Sequence, residues 1–273
     1  MKVAFQGTEG SYSEIAIEKH FGKGAEAKGY PSFEETFKAV KSGEADVAVI
    51  PFENSNTGSL VMNYDMLLEN DLRIIGEVLV PIEHKLLSKK GNRLENIRVV
   101  YSHPQALEQC RDFIRKHKLT AVPEFDTAGA AKLVGERGRK EEAAIASERC
   151  AGIYCLDIIE KDVDKDKKFV TKFFVLSREK NVPRDIRKEK TFIVFKTKHY
   201  PGALVSCLQR LAKNDVNLTK LESRPVPKKP WEYRFYVEFM GGADDENVKL
   251  SLSEMEASAE FLKVLGSYPA AKK

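Results

Sequence analysis

Short apolar runs alternate with helix-like patterns over residues 1–177. The runs are rich in Val, Ile, Phe and Ala, as is typical of buried strands. Strands that alternate with helices predict an α/β fold with a largely parallel sheet. The predicted strands are residues 2–6, 46–50, 97–102, 143–146 and 169–176.

The pattern changes after Ser177. Residues 178–190 are charged, contain Pro183 and have few apolar side chains, so we expect a linker there. The patterns beyond it follow the order βαββαβ, which predicts a ferredoxin-like sandwich. Its predicted elements are a strand at 191–197, a helix at 201–213, strands at 217–224 and 231–240, a helix at 245–258 and a strand at 261–265.

The length of 273 residues indicates about two domains at the usual ~150 residues each. We expect one domain over residues 1–180 and a second over 190–273. The first is expected to split into two lobes with a cleft between them, because two small sheets suit its length better than one large sheet. The predicted lobes are about 1–77 together with 160–180, and 78–159; the chain would cross between them at 72–80 and 156–159.

Composition argues against several classes of protein. The net charge is only +4 and the two signs are interspersed, which does not favour a nucleic-acid partner. The four cysteines form no CxxC pair, which is typical of a reducing compartment. The chain shows neither a leader pattern nor ~18 consecutive apolar residues, so we expect a cytoplasmic protein with no membrane partner.

Polar turns follow several of the predicted strands. Three of the predicted helices begin with a serine that could cap them, namely Ser11, Ser32 and Ser102. Helix amides and hydroxyls at the carboxyl ends of strands are suited to a small anion. No phosphate loop, dinucleotide fingerprint, zincin or hydrolase motif is found, so neither a metal nor an organic cofactor is expected.

Six ordered motifs resemble the prephenate dehydratase family over nearly the whole chain. The resemblance implies a two-lobed catalytic domain like a periplasmic binding protein, followed by a regulatory ACT domain of the ferredoxin-like type. It also implies decarboxylating dehydration of prephenate to phenylpyruvate, water and CO2, by a chain without a fused chorismate mutase. The motifs are Gly10-Ser11-Tyr12-Ser13, residues 51–58, Ser102-His103-Pro104-Gln105-Ala106-Leu107, Thr171-Lys172-Phe173, Gly202-Ala203-Leu204 and Glu222-Ser223-Arg224-Pro225.

The resemblance assigns roles within the first domain. Thr171 is expected to donate a hydrogen bond to the leaving oxygen, and Glu53 is a secondary candidate for proton relay. Phe173 is expected to form an apolar wall. The expected substrate-binding residues are Asn54, Ser55, Ser11, Ser102, Gln105, Lys172 and Phe173.

The resemblance also implies a phenylalanine site in the second domain, between two subunits of a homodimer or homotetramer. Helix amides would bind the carboxylate of the amino acid, and an apolar pocket would hold its ring. Bound phenylalanine would inhibit the enzyme. The residues expected there are Gly202, Ala203, Leu204, Val205, Glu222, Ser223, Arg224 and Pro225.

Lys172 departs from the family pattern, which has arginine at this position. Arginine binds a carboxylate through two parallel hydrogen bonds, whereas lysine is a compact charge on a flexible stem. Weaker substrate binding is therefore expected. Two alternatives stay open: an arogenate dehydratase, whose substrate has an amino group where prephenate has a keto oxygen, and a phenylalanine-responsive sensor without turnover.

Overall fold

The computed structural model describes residues 1–164, 169–183, 185–198, 200–227, 229 and 231–271. Their contacts define two compact units. The first unit contains Met1–Thr36, Val49–Gly58 and Leu79–Phe173, and the second contains Phe37–Ala48, Ser59–Val78 and the chain from Phe174 onwards. The domain and lobe boundaries given above stay predictions.

Helices and strands alternate along most of the described chain. The helices are α1 Tyr12–Phe21, α2 Phe33–Ser42, α3 Val61–Asn70, α4 Pro104–Gln109, α5 Arg111–Lys116, α6 Thr127–Arg137, α7 Arg149–Ile153, α8 Ala203–Lys213 and α9 Glu246–Ser258. The strands are β1 Lys2–Gln6, β2 Glu26–Tyr30, β3 Val47–Asn54, β4 Gly58–Ser59, β5 Leu72–Ile82, β6 Lys85–Lys89, β7 Val99–Ser102, β8 Thr120–Pro123, β9 Glu142–Ala146, β10 Leu156–Glu160, β11 Phe169–Arg178, β12 Lys190–Thr197, β13 Leu218–Pro225, β14 Tyr233–Met240 and β15 Ala259–Tyr268.

The first unit contains strands of two sheets. One follows the order β11-β3-β1-β2, in which β1 and β2 are parallel. The other follows β10-β6-β9-β7-β8, in which β7 is parallel to β8 and β9 while β6 is antiparallel to β9 and β10. The sheet expected to be largely parallel is therefore mixed, because β6 runs against its neighbours. β11 extends to Arg178, so the segment predicted as a linker begins with a strand residue.

Small side chains set the packing around α6. Ala128, Ala130 and Ala131 are fully buried and lie in one cluster with Ala144 and Ala146 of β9. Alanine brings a helix backbone close to a sheet, which is why this stretch is so densely buried. This packing fixes α6 against β9.

The second unit contains the predicted βαββαβ order as β12-α8-β13-β14-α9-β15. Its strands follow the order β13-β14-β12-β15-β5-β11, where β5 takes part up to Val78 and β11 from Phe174, and β12 is antiparallel to both β14 and β15. α8 presents Cys207, Leu208 and Leu211 to a core shared with Phe195 and Phe239, a spacing that matches one face of a helix. The ferredoxin-like prediction is confirmed.

Lys190 joins two buried carboxylates in the second unit. Its Nζ lies 2.9 Å from Glu77 and 3.2 Å from Glu238. Burial lowers the pKa of Lys190, but the hydrogen bond to Glu77 and the charge of Glu238 outweigh it, and the net shift is upward. A strand of the ferredoxin-like fold is thus paired by charge with Glu77 of β5.

No helix in the described part of the chain combines the length and apolarity that a membrane crossing requires.

Gly266 provides a test of this packing. It pairs with Ile74 where β15 meets β5, and a Cβ at Gly266 would lie 2.7 Å from the Ile74 Cβ and closer still to the Ile74 carbonyl oxygen. Gly266→Ala should lower the free energy of unfolding by about 1–3 kcal/mol, the usual cost of overpacking. Gly24, with open space around its Cβ, is the matched control: Gly24→Ala should change it by less than about 0.5 kcal/mol. Equal effects in urea unfolding would contradict this packing.

Candidate active site

Thr171 and Asn54 form the centre of the polar arrangement in the first unit. Asn54 ends β3, Thr171 lies on the neighbouring β11, and both side chains are more than nine-tenths buried. The Asn54 Nδ2 donates to the Thr171 Oγ1 over 2.9 Å. Because that oxygen accepts from Asn54, the hydroxyl proton of Thr171 is directed away from the amide and can be donated to another group.

The same asparagine fixes the loop that follows β3. Its Oδ1 accepts the amides of Asn56 and Thr57, at 3.0 and 3.3 Å. Both ends of the Asn54 side chain bind protein groups, so this residue positions Thr171 and the loop. The predicted contact of Asn54 with substrate stays a prediction.

Ser55 fastens this loop to β11. Its backbone N–H donates to the Val170 carbonyl at 2.9 Å, and its Oγ accepts the Val170 amide at 3.0 Å. Val170 immediately precedes Thr171, so the loop is held beside the hydroxyl from both directions. The predicted substrate contact of Ser55 stays a prediction.

Gln105 connects a second turn to the same loop. Its Nε2 donates to the Thr57 Oγ1 at 2.9 Å, which brings the start of α4 against the residues that follow Asn54. The N-cap of α4 is His103, whose Nδ1 accepts the Gln105 amide at 3.2 Å. The prediction that Ser102 caps this helix is wrong, because Ser102 is fully buried and its hydroxyl donates to the Ile145 carbonyl instead.

Lys172 and Glu53, which adjoin Thr171 and Asn54 along β11 and β3, form an ion pair. The Lys172 Nζ lies 3.5 Å from the Glu53 Oε2, and the two side chains are 16% and 31% exposed. A substrate carboxylate at this position would therefore share the lysine with Glu53. Phe173 is only 2% exposed, so its ring belongs to the core at this point of β11.

A further group of polar residues lies at the ends of β1 and β8. Ser11 caps α1 as predicted, accepting the Glu14 amide at 3.4 Å. Asp126 caps α6 by accepting the Gly129 amide at 2.6 Å, and it accepts the Thr8 hydroxyl at 3.4 Å. The motifs above do not include Asp126. Its position directly before a helical pattern is an N-cap signal that could have identified it.

His84 lies in a buried hydrogen-bonded group behind these turns. Its Nε2 is 2.8 Å from the Gln109 Oε1, and its Nδ1 is 3.1 Å from the Tyr12 hydroxyl, which also donates to the Glu83 carbonyl. Burial is the main reason why the pKa of His84 is below its ordinary value. The group connects α1 with the segment that enters β6.

The residues expected to bind phenylalanine lie in the second unit. Gly202 has φ +87° directly before α8, a conformation that favours glycine. Ala203 is buried, Leu204 is half-buried and Val205 is exposed. Exposure alternates along residues 222–225 of β13. Ser223 and Pro225 are exposed, whereas Glu222 and Arg224 are half-buried. Glu222 accepts the Ser59 hydroxyl, and Arg224 is paired with Asp65.

Comparison with known proteins identifies the class and the family. A profile of the prephenate dehydratase family matches residues 3–181. Arogenate dehydratase/prephenate dehydratase 2 of Arabidopsis thaliana, a chloroplastic protein, is 43% identical over 98% of this chain and 73% of its own length.

Two solved structures are also similar. The prephenate dehydratase from Arthrobacter aurescens in complex with L-Phe has a TM-score of 0.89 and 30% identity, covering 98% of this chain and 90% of that one. GqqA, described as a novel type of quorum-quenching acylase, has a TM-score of 0.90 and 34% identity, covering 99% of this chain and 98% of that one.

The match to the prephenate dehydratase profile and the similarity to the solved prephenate dehydratase define a carbon–oxygen lyase. The chain belongs to the prephenate dehydratase family, as its motifs predicted.

The His84 group predicts a pH dependence. Because burial lowers the pKa of the folded histidine, the unfolded chain takes up its proton first, at about pH 6.5. The contribution of the neutral His84 ring to the free energy of unfolding should therefore be fully present above about pH 7. It should decrease as the pH falls from about 7 to 5. NMR titration of the His84 ring should give a pKa below the ordinary value. A pKa at or above 6.5 would contradict the buried, neutral ring.

Proposed function

We propose that this protein converts prephenate to phenylpyruvate, water and CO2, with Thr171 as the catalytic hydroxyl. The observation that supports this role most strongly is the 2.9 Å hydrogen bond from Asn54 to the Thr171 Oγ1. It holds the oxygen in place while leaving the proton free to be donated. Thr57 and Gln105 extend the polar surface around that hydroxyl.

The reaction needs little from the protein beyond positioning and one hydrogen bond. As the ring carboxylate leaves as CO2, the electron pair of the broken C–C bond enters the ring and expels the hydroxyl at the opposite carbon. The Thr171 proton is donated to that oxygen as the C–O bond breaks, water leaves, and solvent returns the proton to Thr171. Formation of the aromatic ring supplies the driving force.

The substrate carries two carboxylates, and the residues beside Thr171 are suited to bind them. Lys172, which follows Thr171 along β11, supplies a positive charge that is partly neutralised by Glu53 at 3.5 Å. The ordered loop after β3 and the start of α4 supply backbone and side-chain donors. Fixed donors of this kind bind an anion without the cost of ordering them.

Thr171→Ala tests the catalytic role. The variant should keep its fold but lose turnover of prephenate by ~10²-fold or more, because the proton donor is gone. Thr171→Ser, which keeps the hydroxyl, is the matched control and should retain much of the activity. The assay is the formation of phenylpyruvate, followed by its absorbance at high pH. Similar activity in Thr171→Ala and Thr171→Ser would contradict the proposal. If the unmodified protein binds prephenate but does not convert it, the result would favour a sensor.

Lys172→Arg tests how the carboxylate is bound. An arginine could bind Glu53 with one N–H and a substrate carboxylate with two others, so the KM for prephenate should decrease. The kcat should change much less, because this charge binds the ground state as well as the transition state. Steady-state kinetics that give an unchanged or higher KM would contradict this role.

We further propose that phenylalanine binds the ferredoxin-like part as an ACT domain and inhibits the enzyme. β13 lies at the end of the strand order in the second unit, and its Leu218 and Leu221 are about two-fifths exposed. This apolar edge strand supports a homodimer or homotetramer formed through β13.

A cytoplasmic location stays part of the proposal.

The contacts of β13 suggest how the inhibition is transmitted. The Ser59 hydroxyl donates to Glu222 and accepts from the Lys220 Nζ at 2.8 Å. Arg224 is paired with Asp65 at 2.6 Å. Ser59 follows directly on the loop that begins with Asn54. A shift of β13 on binding phenylalanine would therefore displace the chain that positions Thr171.

Ser59→Ala should weaken this coupling. It removes the hydroxyl between Lys220 and Glu222, so the phenylalanine concentration that halves activity should rise at least about fivefold, the lower end of common allosteric couplings. Activity without phenylalanine should change little. If that concentration is unchanged while phenylalanine still inhibits, the coupling does not pass through Ser59.

A further inference from the structure

We propose that His84 is a positioning residue for the dehydration, because its imidazole ring joins one helix from each of the two sheets in the first unit. The ring holds together the polar turns that are expected to bind the substrate. This inference rests on the proposed function, since it concerns how the same site is assembled. His84 lies outside the six motifs, and the proton transfer at Thr171 does not use it.

His84 lies where the chain passes from one sheet to the other. β5 belongs to the sheet that contains β11, β3 and β1, whereas β6 belongs to the sheet of β9 and β7. Only Glu83 and His84 separate the end of β5 from the start of β6. The chain returns between β10 and β11, and Asp164 of that segment accepts the His84 amide at 3.2 Å. The two crossings are therefore bound to each other at His84.

Each ring nitrogen of His84 binds a side chain from a different helix. The Nδ1 lies 3.1 Å from the Tyr12 hydroxyl, and Tyr12 begins α1, which packs on β1. The Nε2 lies 2.8 Å from the Gln109 Oε1, and Gln109 ends α4, which packs on β7 and β9. The Tyr12 ring also meets the imidazole edge to face, with 5.6 Å between the ring centroids. One imidazole thus connects a helix on β1 to a helix on β7.

The partners of the ring determine which nitrogen carries its proton. The Gln109 Oε1 can only accept, so in the neutral ring Nε2 donates and Nδ1 accepts. The Tyr12 hydroxyl then donates to Nδ1 as well as to the Glu83 carbonyl, which is 2.7 Å away. His84 is 2% exposed and Gln109 4%, so water does not readily replace a lost partner. The ring is therefore a rigid connection with both nitrogens bound.

The surroundings keep this connection free of charge. Burial lowers the pKa of His84 and outweighs the hydrogen bond to Gln109 and the charge of Asp164, which raise it, while Lys85 acts in the same direction as burial. The pKa of Tyr12 is raised well above its usual value, chiefly by burial, so the hydroxyl keeps its proton. Both groups are thus neutral hydrogen-bonding partners at neutral pH.

α4 extends the connection to the catalytic hydroxyl. Gln105 lies about one helical turn before Gln109 and donates to the Thr57 Oγ1 at 2.9 Å. The Thr57 amide is bound by Asn54, which also donates to Thr171. α4 is only six residues long, so a shift at Gln109 would move Gln105 with it.

α1 extends the connection to the turn after β1. Ser11, which caps α1 and is a predicted substrate contact, directly precedes Tyr12. Ser11 and Gln105 thus belong to helix starts that are held through opposite nitrogens of one ring. If either ring contact is lost, only a fraction of the molecules keep the donors in the arrangement that binds substrate. The apparent affinity then falls by that fraction.

The test is a double-mutant cycle on the two partners of the ring. Tyr12→Phe removes the hydroxyl and Gln109→Met removes the amide at nearly the same length, and both leave His84 in place. Each single variant should raise the KM for prephenate at least about tenfold, as expected when a buried group loses its partner, and lower kcat less than about threefold. The double variant should stay within about twofold of the larger single effect, because either loss already breaks the connection.

Tyr268→Phe is the matched control. It removes a buried tyrosine hydroxyl that binds Glu238 at 3.2 Å in the second unit, and the KM should be unchanged. His84→Gln and His84→Asn test the ring itself. The amide of glutamine takes about the place of Nε2 and that of asparagine about the place of Nδ1, so each variant keeps one side of the connection. Both should raise the KM as the Tyr12 and Gln109 variants do.

The KM separates a positioning role from a loss of stability. A variant that is only less stable contains fewer folded molecules, so its apparent kcat falls while the KM is unchanged, and that result refutes the positioning role. KM effects that multiply in the double variant also refute it, because the two partners then act independently. In both cases conversion by the unmodified protein leaves the proposed function intact. If the unmodified protein does not convert prephenate, the proposed function fails and this inference fails with it.

Discussion

The buried side chain of Asn54 is the constraint on which the site depends. One end of its amide binds the loop after β3 and the other end binds the Thr171 hydroxyl. A buried amide that lost either partner would leave an unsatisfied group, at a cost of about 1–3 kcal/mol. The cost of disrupting either contact therefore keeps the loop and the hydroxyl in one arrangement. An alcohol as weakly acidic as threonine can contribute to catalysis only if it is held in such a way.

The fold provides this rigidity through its strands. β3 and β11 are neighbours in the sheet, so Asn54, Ser55 and Thr171 are positioned by backbone pairing before any side chain is considered. The turns after β1, β7 and β8 add groups from helix starts to the same unit. The charged side chains there have partners within the protein. Lys172 is paired with Glu53, and Asp126 accepts hydrogen bonds from the Thr8 hydroxyl and the Gly129 amide.

Much of the fold could be predicted from local sequence patterns. The six elements of the ferredoxin-like part follow clear periodicities, and the Ser11 cap depends only on residues three positions away. β2 was missed because four of its five residues are exposed, which leaves no apolar pattern. The cap predicted at Ser102 failed because its hydroxyl binds the Ile145 carbonyl, 43 residues further along the chain. The bond between Asn54 and Thr171, 117 residues apart, is of the same long-range kind. Motifs could place both residues in one site but could not show that one positions the other.

A crystal structure of the Thr171→Val variant with prephenate bound would show whether the residue 171 hydroxyl faces the leaving oxygen. Valine has nearly the shape of threonine but lacks the proton, so the substrate should stay intact in its reactive position. We expect the ring hydroxyl oxygen to lie about 3 Å from the position of the missing Oγ1, with Asn54 unmoved. A ring hydroxyl turned away from residue 171 and hydrogen-bonded to a different donor would contradict it.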